Sequence, residues 1–401
     1  MKKVVSILCI LVIVIGLVSA FAACNAVPRE NVLKVYLPGE YIDEDIVAEF
    51  SAWYLEQTGE EIVVELDTFD AVENIQLALE GGNADYDIVC PSDYMVEYLI
   101  AHDLIKEVDK EIIDVTAEGL FKDEYLTVAR QYDPELKFSV PYMYGTLGLV
   151  YDYSKTGDHI DSWEDYFGSK YDGTATKSLK KSMRDAYSAA CIYDNSKKPS
   201  ESQKTIQEVF EDTSAETINA AKTILQSIVS GNAVWDIDNV KYEMAAGNST
   251  VKVALMWSCD AGYVMNDYED EDGNEQPGNR NLWYVVPKEG GNVYMDNFCI
   301  TKNVVNEKAA NYFLKYLCEK DVAVANSEYA GAISPVAAAY DELYEGYVND
   351  EDGMFDETPA GWKEMFLETM FPSAATLSRC GVMKDIKTGK DDLIQMWAGL
   401  L

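Results

Sequence analysis

From Val32 to Cys90 short β-branched runs alternate with stretches of helical periodicity, and that alternation leaves few folds open. "VLKVYLP" reads as a strand. "EDIVAEFSAWYLEQTG" sets Ile46, Phe50, Trp53 and Tyr54 on one helical face and stops at Gly59. "EIVVEL" is a second strand, "AVENIQLALEGG" a helix ended by glycines, and "YDIVCPS" a third strand running into a loop. Such a β-α-β-α-β order calls for mainly parallel sheets with helices on their faces, the beginning of a doubly wound α/β domain. In these sheets ligands gather beyond the carboxyl ends of the strands, where Gly39 to Tyr41 and Ser92 to Tyr94 are expected.

A chain of 401 residues is too long for one ordinary core, so two domains are expected. "FSVPYMYGTLGLVYD", residues 138 to 152, sets a proline, tyrosines and two glycines between β-like runs and reads as a crossing into the second domain. That domain takes the helices around Met183 to Tyr193 and Ser214 to Val229 and the strands "VKVALMW" and "NLWYVVP". "YVVPKEGGNVYMDNF", Tyr284 to Phe298, is the return crossing, and it puts Tyr294 and Asp296 on one face of a strand. "NFCITK" and "AANYFLKYLCEKDVAVANSEY" then belong to the first domain, and the chain swings back for Asp341 to Leu401. The expected division is 31–143 with 295–340 in lobe 1 and 144–294 with 341–401 in lobe 2. Repeated crossings of this kind make a hinge.

Ahead of the lobes, Lys2 and Lys3 precede an apolar and small-residue run that ends at Ala22-Ala23-Cys24. This is the pattern of an export signal over residues 1–23, followed by a tether over 24–30. "FAAC" resembles the lipobox of bacterial lipoproteins, in which the Cys is acylated, with Phe21 where Leu is usual. The run is also long enough for a retained membrane anchor. Either way the body of the protein is expected outside the cytoplasm, tethered to the bacterial cell membrane.

The formal net charge of −38 argues against nucleic acid as a partner. Beyond Cys24 the cysteines are Cys90, Cys191, Cys259, Cys299, Cys318 and Cys380, an even number that permits disulfides. Several stand within apolar runs, which suits buried thiols equally well. With His102 and His159 the only histidines, a zinc centre or a histidine-based triad has little to draw on, and no metal or cofactor is expected. The acidic loops "DYEDEDGNEQPG" and "NDEDGMFDE" fail the calcium-loop pattern, since Tyr268 and Val348 fall at the first ligand position, and read as solvated turns.

Seven stretches in order, "VYLPGEYIDEDIVAEF", "YDIVCPSDYMVEYLI", "FSVPYMYGTLGLVYD", "DSWEDYF", "SMRDAYSAA", "VALMWSCDAGYV" and "VPKEGGNVYMDNFCITK", make the chain resemble the spermidine/putrescine-binding proteins of bacterial polyamine ABC importers. The resemblance covers most of the chain beyond Cys24. It implies two doubly wound α/β lobes of the periplasmic-binding-protein type (type II), closing on a polyamine and handing it to a membrane permease, as a monomer and without turnover. The family's ligand-binding residues fall on Tyr41, Ser92, Tyr94, Asp185, Trp257, Tyr294 and Asp296, with Glu40, Asp93 and Tyr144 as further candidates. The departures are Pro38 and Gly39 where a tryptophan and a hydroxyl are common, Ser182 for a second helix acid, Ala332 for an aromatic and Met383 for a glutamine. Glu40 and Asp93 could offset the missing acid.

These residue types suit an amine chain. Methylenes need apolar walls, ammonium groups need acids, and aromatic faces serve both through a cation–π attraction of roughly 0.5 to 2 kcal/mol. Carboxylates add charge-assisted hydrogen bonds. Two other readings compete: a binder of the same fold for a sugar, an amino-acid derivative or a metal complex, and a hydrolase with paired carboxylates. An anion binder would want Arg or Lys in the cleft. A glycosidase would need two acids fixed across one bond, whereas Asp185 and Asp296 are expected on separate lobes.

Overall fold

The computed structural model describes residues 27–82, 84–236, 239–269, 275–276, 278–350 and 353–401. The leader over 1–23 and Cys24 lie outside the described residues, as do parts of both acidic loops. No helix among the described residues is long and apolar enough to cross a membrane.

The opening pattern folds as its periodicity requires. Strand β1 (Val32–Pro38) pairs in parallel with β2 (Val63–Phe69), Val32 opposite Val63. Helix α1 (Glu44–Thr58) connects them. Asp43 caps it by accepting from the Asp45 amide at 2.9 Å, and Gly59 closes it with φ of 75°, a conformation glycine adopts at no steric cost. Val47, Phe50 and Tyr54 are buried on its inner face, while Ile46 and Trp53 are half-buried beside them. Helix α2 (Glu73–Glu80) leads to β3 (Ile88–Val89), parallel to β1, and to α3 (Asp93–Ala101).

The next strands depart from a parallel sheet. β4 (Val140–Asp152) is followed by β5 (Lys177–Lys180), β6 (Val234–Asp236), β7 (Val253–Trp257), β8 (Leu282–Val285), β9 (Gly291–Ile300) and β10 (Cys380–Gly381). Hydrogen bonding links the strands in the order β2-β1-β3-β9-β4-β7-β5-β6, with β8 beside β4 and β10 beside β9. The β5 pairs with β6 and β7 are parallel, but β4 and β9 pair antiparallel with each other, and β4 also runs antiparallel to β7 and β8. Mainly parallel pairing therefore holds toward the two ends of the sheet, with one further parallel pair where β10 joins β9. In the middle the chain runs out along β4 and back along β9, and antiparallel neighbours of this kind need no crossover helix.

Those two strands are the stretches that the sequence marks as crossings. Every residue of β4 is buried, as befits a strand with neighbours on both sides. The register between β4 and β9 slips at one point: Asp296 lies opposite Met143, but Asn297 lies opposite Pro141. Tyr142 is the extra residue. Pro141 has no amide hydrogen for the ladder, and a bulge is where a sheet accommodates such a residue and re-aims its neighbours.

Candidate functional site

Asp296 sits at that bulge, half-buried, with two hydroxyls upon it. The Tyr41 phenol donates to Oδ2 at 2.7 Å and Ser92 Oγ donates to Oδ1 at 2.8 Å. Tyr41 comes from the loop after β1 and Ser92 precedes α3, so both stand at carboxyl ends of parallel strands, where the sequence puts them. Ser92 also forms an isolated antiparallel bridge with Asp296. Burial raises the carboxyl above its ordinary pKa, while Tyr41 and Ser92 oppose the rise. Burial and the nearby Asp296 hold the Tyr41 phenol far up, so it remains a donor.

The bulged residue supports this arrangement. Tyr142 donates to the Tyr41 carbonyl at 2.7 Å, and their rings meet edge to face with centroids 5.6 Å apart. Sequence reasoning passed over Tyr142. The signal available was Pro141, which breaks the ladder one residue earlier.

Tyr294 faces Gly145 across the β4–β9 pair. A Cβ at Gly145 would lie 2.3 Å from the Tyr294 hydroxyl oxygen and 2.8 Å from Ser258 Oγ, so glycine here makes room for the ring. The Tyr294 hydroxyl donates to Cys259 Sγ at 3.1 Å. Trp257, the last residue of β7, meets Tyr294 at 6.4 Å between ring centroids and 63° between planes. The structure thus brings Tyr41, Ser92, Trp257, Tyr294 and Asp296 into one neighbourhood.

Cations that the sequence reading did not single out join them. Lys180, the last residue of β5, holds its Nζ 3.4 Å from the centroid of the Trp257 ring and 3.0 Å from Asp260 Oδ2. Lys241 Nζ lies 3.0 Å from Asp260 Oδ1. Burial opposes ionisation of Asp260, yet these two ammonium groups bring its carboxyl down to about 2. A lysine within "SLKKSMRD" reads as solvated, and only the parallel register of β5 beside β7 shows that Lys180 and Trp257 end side by side.

A second neighbourhood holds Tyr94 and Asp185. The Arg184 guanidinium lies 4.4 Å from the Tyr94 ring centroid, and the Tyr94 hydroxyl donates to Glu73 Oε1 at 3.2 Å. Asp185 is buried in the first turn of helix α4 (Met183–Ser196). Burial raises its pKa, and Ser182, Lys180 and Arg184 oppose the rise.

The further candidates divide. Glu40 is exposed, with φ of 53°, in the loop beside Tyr41. Asp93 is buried with Oδ2 unpartnered and Oδ1 accepting from the Tyr94 amide at 2.7 Å. Tyr144 is occupied in the core: its ring stacks on Tyr125 at 3.8 Å and its hydroxyl donates to the Met370 carbonyl at 3.1 Å. Ala332 and Met383 are both buried. All six described cysteines are free thiols, three of them fully buried. A cavity of about 980 Å³ takes in Glu40 and Asp260 together with Tyr263, Tyr329, Tyr347 and Phe366. Its described lining includes six carboxylates and one lysine, a surface that favours cations.

Residues 46–365 match the profile of a family described as bacterial extracellular solute-binding protein. Over 388 residues the chain is 24% identical to the putrescine-binding periplasmic protein of Escherichia coli, covering 94% of this chain and 97% of that one. It is 25% identical over 350 residues to the putrescine/agmatine-binding protein of Pseudomonas aeruginosa, covering 82% and 84%. The solved structure of a putative spermidine/putrescine ABC transporter protein from Listeria monocytogenes superposes with a TM-score of 0.71 at 24% identity, over 92% of this chain and 98% of that one.

Proposed function

The chain belongs to the bacterial extracellular solute-binding proteins, and on that premise we propose that it captures a polyamine of the putrescine and spermidine class between two lobes and delivers it to the permease of an ABC importer. The family is one of transport components, and we read the site as binding without turnover. Acylation of Cys24 would hold the protein at the outer face of the cell membrane as a monomer.

The observation that carries the reading is the state of Asp296. It is a half-buried carboxylate at the bulge between β4 and β9, and among the described residues it is held by neutral hydroxyls alone. Burying an anion without a cation is costly. An ammonium group brought by the ligand removes that cost and adds a charge-assisted hydrogen bond. Tyr294 and Trp257 stand ready to cover the neighbouring methylenes, and the acidic cavity, which meets this cluster at Asp260, favours cations. Two solvent-accessible halves closing over such a ligand would tie its binding to lobe closure.

Thermal unfolding of the purified protein against a ligand panel tests this. Putrescine, spermidine or spermine at about a hundredfold excess over its dissociation constant should stabilise the fold by about 2.7 kcal/mol. Sugars and amino acids should leave the midpoint unmoved. Stabilisation by a sugar or an amino acid, with silence toward all three amines, would replace this reading with that of a same-fold binder of another solute.

A further inference from the structure

We propose that Lys180 is a specificity-determining residue: its side chain fills one ammonium seat of the cleft from within the protein, so that the buried site takes a single ammonium of the ligand and selects a short diamine over a triamine. This rests on the amine reading of the site and adds a residue and a charge count to it.

The geometry begins with the sheet. β5 and β7 are parallel neighbours, so their carboxyl ends emerge together at the edge where ligands of such sheets collect. Lys180 ends β5 and Trp257 ends β7. The Lys180 side chain is only 5% exposed, and its Nζ stands 3.4 Å from the ring centroid, well inside the distance at which an ammonium is attracted to an indole face. A ligand ammonium cannot occupy the same face at the same time, because like charges that close repel. Trp257 can then offer the ligand only its edge or its remaining surface, which suits methylenes.

The surrounding carboxylates give the same count. Asp260 is paired with Lys180 and Lys241. Asp185 lies in the field of Lys180 and Arg184, and Asp93 in that of Arg184 and Lys384. Asp296 differs, for no cation among the described residues acts on it. Burial favours the neutral form of Asp93, whose Oδ2 has no partner among the described residues, so Asp296 is the acid left for the ligand to neutralise. A short diamine satisfies it with one ammonium and keeps the other clear of Lys180. A triamine must bring its further ammonium past Lys180.

Calorimetric titration of the full chain with putrescine and with spermidine, in the wild type and in Lys180→Met, decides the matter. The wild type should bind putrescine at least about tenfold more tightly than spermidine, and Lys180→Met should move that ratio at least about tenfold toward spermidine. Lys180→Gln, which keeps a donor for Asp260 without the charge, should move it the same way, so the test survives misfolding of the methionine variant. A wild type that prefers spermidine, or a ratio unchanged in a folded Lys180 variant, overturns the proposal while leaving amine binding intact. Absence of binding to either amine in the wild type overturns the amine reading as well.

Discussion

The hydroxyl of Tyr41 lies 2.7 Å from Oδ2 of Asp296, although 255 positions separate the two residues. The bond ties the loop after the first strand to the strand on which the chain returns. Removing the hydroxyl leaves Ser92, among the described residues, as the sole side-chain donor to a half-buried carboxylate. Tyr41→Phe should cost about 1.5 to 3 kcal/mol of amine affinity or fold stability together. Parallel titration and chemical denaturation would measure both, and a variant equal to the wild type in each would show that the hydroxyl does not orient the acid.

Asp296 also sets a pH dependence. Burial raises its pKa in the folded state above the unfolded value. A group shifted this way contributes stability that is fully present below its unfolded pKa and is lost as pH rises through the folded one. At neutral pH, then, the ligand-free protein carries the desolvation penalty of a half-buried anion, and Asp296→Asn should be the more stable protein. The advantage should hold above the raised carboxyl pKa and shrink as pH falls through it toward the ordinary carboxyl range of about 4, while amine affinity of the wild type declines over the same interval. Asp260 behaves oppositely: held at about 2 by Lys180 and Lys241, its stabilising contribution is present above the unfolded carboxyl range and disappears only as pH falls through about 2. Scanning calorimetry across pH would check the signs.

Gly145 makes the sharpest steric prediction. A methyl group there would stand 2.3 Å from the Tyr294 hydroxyl oxygen, so the ring must leave its seat or the strands must part. Gly145→Ala should destabilise by about 1 to 3 kcal/mol and weaken amine binding as well. Gly39 is the control: nothing lies within 4 Å of a Cβ built there, and Gly39→Ala should do neither.

Glu97 supplies a kinetic prediction. From α3 it accepts the Asp385 amide at 3.0 Å and pairs with Lys387 at 3.2 Å, while Arg184 holds the Lys384 carbonyl at 2.6 Å and covers Tyr94. The segment from Lys384 to Lys387 therefore clasps the helix after β3 to the helix after β5. An exposed ion pair contributes about 0 to 1 kcal/mol, so Glu97→Ala should raise the ligand's dissociation rate a few-fold with little change in association. Stopped-flow Trp fluorescence would resolve the two rates.

Much of the fold was legible because local and global signals agree. The period-2 and period-3.6 stretches before Cys90 became strands and helices with small boundary shifts, and Gly59 closes its helix as its position promised. The placement of the candidate site was legible where a short motif fixes geometry: Tyr294 and Asp296 on one strand, Ser92 ahead of a helix. Tyr144 shows the converse, since a tyrosine in a crossing strand is equally suited to the core, and here it stacks on Tyr125. Tyr142 and Lys180 escaped notice for a common reason. Their roles arise from register between strands far apart in sequence, the slip at Pro141 in one case and the β5–β7 pairing in the other.

The most direct test of the account is a calorimetric titration of the protein and of Asp296→Asn with putrescine at neutral pH. The wild type should bind with micromolar affinity or better, and the variant should be at least about 30-fold weaker, the equivalent of about 2 kcal/mol for a lost charge-assisted hydrogen bond. Equal affinity in the two proteins would mean that the ammonium does not sit on Asp296, and the account would be wrong at its centre.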